Sequence, residues 1–276
     1  MKNLFLIFFI SFSTIALGQY NCEAFKLNGD LCKYKACKYL DSVNKPFQLT
    51  KGYHDIYNKA LEICPNYHQA YRNKSTAYLK TGEFIMWKKL MDKAVELSPE
   101  EHLSYRGWCR YQFFRDYKGA LKDLEALEKI YPDDLGYSQN GMYHLKVVQA
   151  LCQKMLNQPK EAISTLEKHL KKSKFKDLYD YYHLGILYSE SGQYEKALSA
   201  FKIQIKEYDF DGLQYHLALL HKKLGNLQEY RDCIFKTNEL HKKGRVMTDP
   251  YTHPLDFVFK SDIVLEYENV YAKKED

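Results

Sequence analysis

Residues 181–201 read YYHLGILYSESGQYEKALSAF, with Tyr181, Leu184 and Tyr188 following one another at steps of three and four. Gly192 interrupts the pattern, and Tyr194, Ala197 and Phe201 resume the same steps. Such spacing places apolar side chains on one stripe of an α-helix, so the stretch predicts two helices joined at a glycine. The unit recurs, since Leu184 and Leu217 are 33 apart and so are Gly192 and Gly225. Nearer the N-terminus, Pro65, Pro99 and Pro132 are spaced by 34 and 33, each closing a segment with an apolar stripe, and Ala60, Ala94 and Leu127 keep the same spacing. A period near 34 signals stacked helix pairs, each covering the apolar flank of the next. Residues 133–140 interrupt the register as an insertion of eight residues, since Ala120 and Ala162 are 42 apart, which is 34 plus 8.

These residues carry a family resemblance. The set Tyr181, Leu184, Gly185, Tyr188, Gly192, Tyr194, Ala197 and Phe201 resembles the tetratricopeptide repeat, with Tyr181 in place of the leading Trp. The unit from His68 is similar through Tyr71, Tyr78, Gly82, Ala94 and Pro99, although Trp87 and Met91 replace the usual Ala and Phe. The unit from Glu101 is looser, and units beginning near Tyr34, Tyr143 and Asp211 follow from register. The resemblance implies an all-α, right-handed α-solenoid of about six helix pairs over residues 34–243. Small residues such as Ala120, Gly185 and Ala197 are expected where paired helices approach, and Gly82, Gly192 and Gly225 in the turns between them. A tail over 244–276 contains Ile263, Val264, Tyr267, Val270 and Tyr271 at helical spacing after Ser261, which predicts a capping helix with Ser261 as its N-cap.

The chain opens with Lys2, an apolar run from Leu4 to Leu17, and the small-x-small sequence Ala16-Leu17-Gly18. This predicts a secretory signal peptide over residues 1–18, and hence an exported protein, periplasmic or extracellular. The 14-residue run is too short for a bilayer span, which needs roughly 20, and no later stretch is comparably apolar, so the mature chain is expected to lack a transmembrane segment. Gln19, Tyr20 and Asn21 separate Gly18 from Cys22, against a lipid anchor at that cysteine. The formal charge of +6, or +5 without Lys2, is too small and scattered to argue for nucleic acid. The 258 residues that remain (276 less 18) hold all seven cysteines, four of them in the segment 19–33 and the first repeat: Cys22, Cys32, Cys37 and Cys64. Export favours disulfides among these over a zinc site, with Cys37 to Cys64 a candidate bridge, although connectivity does not follow from sequence. Cys109, Cys152 and Cys233 are expected to be buried thiols.

No phosphate-binding glycine loop, HExxH pair or GxSxG elbow occurs, and no cofactor or metal is expected. The resemblance implies instead a surface lined by the first helix of each pair, receiving a protein or peptide partner. Carried over residue by residue, it puts Lys38, Arg72 and Tyr105 in equivalent places, with Asn73 and Arg106 one residue further on, and Tyr182 and Tyr215 recurring 33 apart. Members that grip a peptide's terminal carboxylate use Lys, Asn and Arg at such places, which this chain matches with Lys38, Asn73, His102 and Arg106. Ser42 and His102 depart from the Asn and Lys of that pattern. Two other readings stay open: a spacer linked between chains through its cysteines, and an enzyme whose site lies outside the repeats, around Cys22 or His253.

Overall fold

The computed structural model describes residues 21–271, and the signal peptide read at 1–18 lies outside them. The described residues form helices and connections, the sole extended pairing among them being an isolated bridge between Tyr137 and His144. None of these helices is long and apolar enough to cross a membrane. The chain divides into two compact units, which meet in sequence between Ser98 and Pro99.

The first unit contains α1 (Cys22–Leu27), α2 (Leu31–Ser42), α3 (Lys51–Ile63), α4 (His68–Thr81) and α5 (Phe84–Leu97). Asp30 and Thr50 begin α2 and α3 by accepting the backbone N–H groups of Lys33 and Tyr53, satisfying donors that a helix start leaves unpaired. Ala36, Leu40, Tyr57, Ala60, Tyr67, Ala70 and Ala77 are buried between α2, α3 and α4. On α5, Trp87 and Met91, the two departures from the repeat pattern, are buried beside Ala94, so a larger core replaces the usual one at the same positions. Two disulfides close the N-terminal end, Cys22–Cys37 and Cys32–Cys64. The expected Cys37–Cys64 bridge is therefore corrected. The short helix α1, which sequence spacing did not reveal, brings Cys22 to within a Cα separation of 5.5 Å of Cys37, and Cys64 pairs with Cys32 at 5.3 Å. Closing loops of 15 and 32 residues contributes about 3 and 4 kcal/mol by chain entropy, ahead of any packing.

The second unit contains α6 (Pro99–Cys109), which runs into a π-helical turn (Arg110–Phe114), then α7 (Tyr117–Ile130), α8 (Leu145–Met155), α9 (Pro159–Lys172), α10 (Asp180–Glu190), α11 (Tyr194–Glu207), α12 (Asp211–Leu224), α13 (Leu227–Lys242) and α14 (Lys260–Tyr271). Helices α6 with α7, α8 with α9, α10 with α11, and α12 with α13 pack as hairpins, and the second helix of each hairpin packs on the first helix of the next. The first helices α6, α8, α10 and α12 also touch in succession, forming a layer of their own.

Both kinds of punctuation act as the sequence predicts. Gly82, Gly192 and Gly225 have φ of 80°, 74° and 78°, a left-handed conformation costly for residues with a Cβ. Cys64, Ser98 and Tyr131, each just before a proline, have ψ of 93°, 82° and 76°, because proline's ring excludes the α conformation from the residue before it. Helix contact is closest at Gly185, where an added Cβ would lie 2.4 Å from the Phe201 ring. Gly107 does the same for α6 against Asp123 and Leu124 on α7, a close approach that sequence reading overlooked.

The capping helix is present, with Ile263 buried and Tyr267 and Val270 packed against Ala218, Tyr230 and Ile234 of α12 and α13. Its start is corrected: α14 begins at Lys260, and the Asp262 carboxylate accepts the N–H of Phe259 at 3.2 Å, doing the capping assigned to Ser261. Val264 and Tyr271 are exposed, so the buried stripe is narrower than the apolar one.

Candidate functional site

In the second unit, residues 245–259 between α13 and α14 lie along the layer of first helices. The segment starts at α12, where the Arg245 carbonyl accepts from the N–H of Asp211 (2.9 Å), and the Met247 side chain is buried. Asn140, in the connection before α8, donates to Asp249 (2.8 Å). Gln112 of the π-helical turn donates to Thr252 (2.8 Å), and Arg115 just past it donates to the His253 carbonyl. The chain then turns back at Asp256, whose φ of 63° is unusual for a residue with a side chain. Val258 is buried near Gly212 of α12, 3.5 Å from where a Cβ on that glycine would sit.

Asp256 is the anchor. Its carboxylate receives Lys154 of α8 at 2.6 Å and His183 of α10 at 2.8 Å, and the Tyr182 hydroxyl donates to its backbone carbonyl. With the His183 Nδ1 donating to the carboxylate, Nε2 accepts from the Tyr143 hydroxyl at 3.3 Å. Lys154 also reaches Glu190 at 3.0 Å. Burial by itself would raise the Asp256 carboxyl, but the His183 hydrogen bond and the Lys154 ammonium outweigh it and hold the group well below the usual carboxylate range. The face thus supplies amide, guanidinium and hydroxyl donors to backbone carbonyls and polar side chains, and a cation with an imidazole to one carboxylate. That chemistry can hold an irregular peptide segment that carries a carboxylate.

The residues singled out from the sequence are placed differently. On the first unit, Lys38 is exposed and lies 3.9 Å from Glu23, while Arg72 and Asn73 are half-buried neighbours on α4, joined by a 3.2 Å hydrogen bond. On the second unit, His102 and Tyr105 are buried in α6. Arg106 is corrected as a carboxylate grip for a guest, because its guanidinium already forks onto the buried Asp123 through Nε (2.9 Å) and a terminal nitrogen (2.7 Å), with Arg110 adding a third contact at 2.9 Å. Tyr182 is corrected from a surface position to the core, fully buried against Phe210 at a ring separation of 4.9 Å. Tyr215 packs with the cluster beneath α14.

The cysteine readings narrow as well. Cys22 is bonded to Cys37, so it is not a free thiol for the enzyme reading, and His253 packs tilted against Phe257 and edge-on to Phe259. Cys109 and Cys152 are buried as expected, but Cys233 is only half-buried, and burial lifts its thiol to about 11. Lys154, His183 and Asp256 were missed altogether. Lys154 and His183 are two of several polar residues on their helices, and nothing local linked either to a residue 102 or 73 positions later.

With this geometry in view, the comparisons with known proteins are specific about the unit. The tetratricopeptide repeat model matches residues 68–101 and 181–205, which cover α4 with α5 and α10 with most of α11. Those two helix pairs are similar in sequence to the tetratricopeptide repeat. No curated protein matches the chain in sequence. Among solved structures it is similar to YrrB, described as a TPR protein with an unusual peptide-binding site, at 18% identity and a TM-score of 0.53 over 68% of this chain and 94% of that one. It is likewise similar to PilF of Pseudomonas aeruginosa, at 15% identity and a TM-score of 0.54 over 92% and 94% of the two chains. PilW, described as a widely conserved type IV pilus biogenesis factor, matches at 14% identity and a TM-score of 0.53 over 80% and 90%. At such identities the likeness concerns the fold.

Proposed function

We propose that this protein is an exported interaction scaffold that receives an irregular, carboxylate-bearing segment of a partner protein on the first-helix face of its second unit. The observation that carries the reading is residues 245–259, a stretch without helix or strand that this face holds through Gln112, Arg115, Lys154, Tyr182 and His183. A partner segment binds by taking the place of the tail, so the tail sets a threshold that weak ligands do not cross. The tetratricopeptide repeats and the fold shared with YrrB, a peptide-binding protein by its description, support the same reading. Export rests on the apolar leader before Gln19 and agrees with the two disulfides, which persist in oxidising compartments.

A labelled peptide of residues 245–259, added to protein carrying Asp256→Ala, tests the groove. Saturable binding is expected, together with its loss when the peptide's own Asp256 is also alanine. A peptide that ignores the protein, or binds equally well with and without the carboxylate, removes the proposal. Export is tested separately by N-terminal sequencing of protein recovered outside the cytoplasm. A chain beginning at Gln19 supports the leader, and one retaining Met1 defeats it.

A further inference from the structure

Away from the tail, the connection between α9 and α10 brings together an imidazole and two carboxylates. One ligand atom each from His169, Asp177 and Asp180 lies within 4.8 Å of the other two. The two carboxylates are already oriented: an Asp177 oxygen accepts the N–H of His144 (3.0 Å), and an Asp180 oxygen accepts the N–H of Asp177 (2.9 Å). The second oxygen of Asp180, Oδ1, is buried without any hydrogen-bond partner, and the residue as a whole is 0% exposed. An orphaned carboxylate oxygen in a protein interior is costly, so its persistence calls for a bound partner. Lys176 does not supply one, since its ammonium turns to the carbonyls of Leu170 and Ser173.

The His169 imidazole makes no hydrogen bond among the described residues and is held by stacking on His144, with ring centroids 4.3 Å apart. His144 is itself fixed, its Nδ1 accepting from the Lys146 N–H and its Nε2 donating to Asp134 at 2.8 Å. His169 also lines a cleft of about 570 Å³, which reaches the cluster from the imidazole side. Of the four lysines along that cleft, Lys146 is paired with Glu128 and Lys172 with Asp133, while Lys168 and Lys174 have no ion-pair partner among the described residues.

We propose that His169, Asp177 and Asp180 form a divalent transition-metal site, suited to Zn²⁺. One nitrogen and two carboxylate oxygens are a zinc donor set, leaving a fourth position for water. Ligand atoms around tetrahedral zinc stand roughly 3.3 Å apart, so closure from 4.8 Å needs side-chain rotations of about 1 Å and no backbone rearrangement. The hydrogen bonds from His144 and Asp177 N–H groups are the outer-shell support that such sites use. The ion pins the last turn of α9 to the first turn of α10 across the lysine-rich connection.

The test is zinc uptake by the purified, chelator-stripped protein, followed by calorimetry and, with Co²⁺ as a spectroscopic substitute, by the visible d–d band. One ion per chain is expected, with affinity falling at least about tenfold in Asp180→Asn and in His169→Gln while far-UV circular dichroism stays unchanged. Thermal stability should rise on adding zinc to the parent and stay flat in both variants. Equal uptake by parent and variants, which would mark adventitious surface binding, overturns the proposal, as does a parent that takes up no ion.

Discussion

At the scale of single residues, the decisive feature is how buried charges are matched. Asp123 is almost wholly buried on α7 and accepts from both Arg106 and Arg110, which are themselves mostly covered. Removing the carboxylate takes a shared partner from two mostly covered guanidiniums, of which Arg110 keeps Asp116 at 3.7 Å and the Gly119 carbonyl at 3.1 Å, and this costs more than one exposed ion pair contributes. Asp123→Ala should therefore lower stability by about 3–5 kcal/mol in urea denaturation, and a loss under about 1 kcal/mol would show that the arginines simply turn to water. His216 gives a second expectation. Burial holds its imidazole down to about 4, helped by Lys154, His183 and Lys223 and opposed by Asp256. An unfolded histidine takes up its proton near 6.5, so between about pH 6.5 and 4 the unfolded chain binds the extra proton. Stability from this group is thus full above 6.5 and is lost as pH falls towards 4. His216→Gln should flatten that part of the parent's stability curve, and a superimposable pair of curves would refute the assignment.

At the scale of helices, the packing depends on a few close approaches. The 2.4 Å separation between a Cβ built on Gly185 and the Phe201 ring leaves no room for even a methyl group. Gly185→Ala should cost about 1–3 kcal/mol by forcing α10 and α11 apart, and adding Phe201→Leu should return part of that loss, since the two changes share one contact. Strict additivity in thermal melts would place the strain elsewhere. These contacts were legible in advance because glycine at 185 and phenylalanine at 201 recur in a known steric pattern. Gly107 belongs to the same class yet went unread, since the unit from Glu101 keeps too little of the pattern to flag it. The π-helical turn at Arg110–Phe114 was also invisible, because one extra residue in a helix leaves the apolar spacing nearly unchanged.

At the scale of the whole molecule, the tail changes what the repeats can do. Residues 245–259 return over the second unit, and the buried anchor at Asp256 holds them there through Lys154 and His183. Asp256→Ala should release the segment while leaving the helix pairs intact, so amide exchange in 245–259 should accelerate roughly a hundredfold while exchange in α10 and α11 stays put. Uniform acceleration throughout the second unit would instead make the tail part of the core. The helix pairs themselves were readable without coordinates. Periodic apolar residues, left-handed glycines and pre-proline positions act over three to five neighbours, and local sterics are written locally. Disulfide partners, the pairing of Arg106 with Asp123 and the seating of Asp256 were decided only by the tertiary structure. Each depends on groups that are far apart in sequence, up to the 140 positions between Gln112 and Thr252, and no periodicity encodes which distant side chains a folded chain will bring within reach.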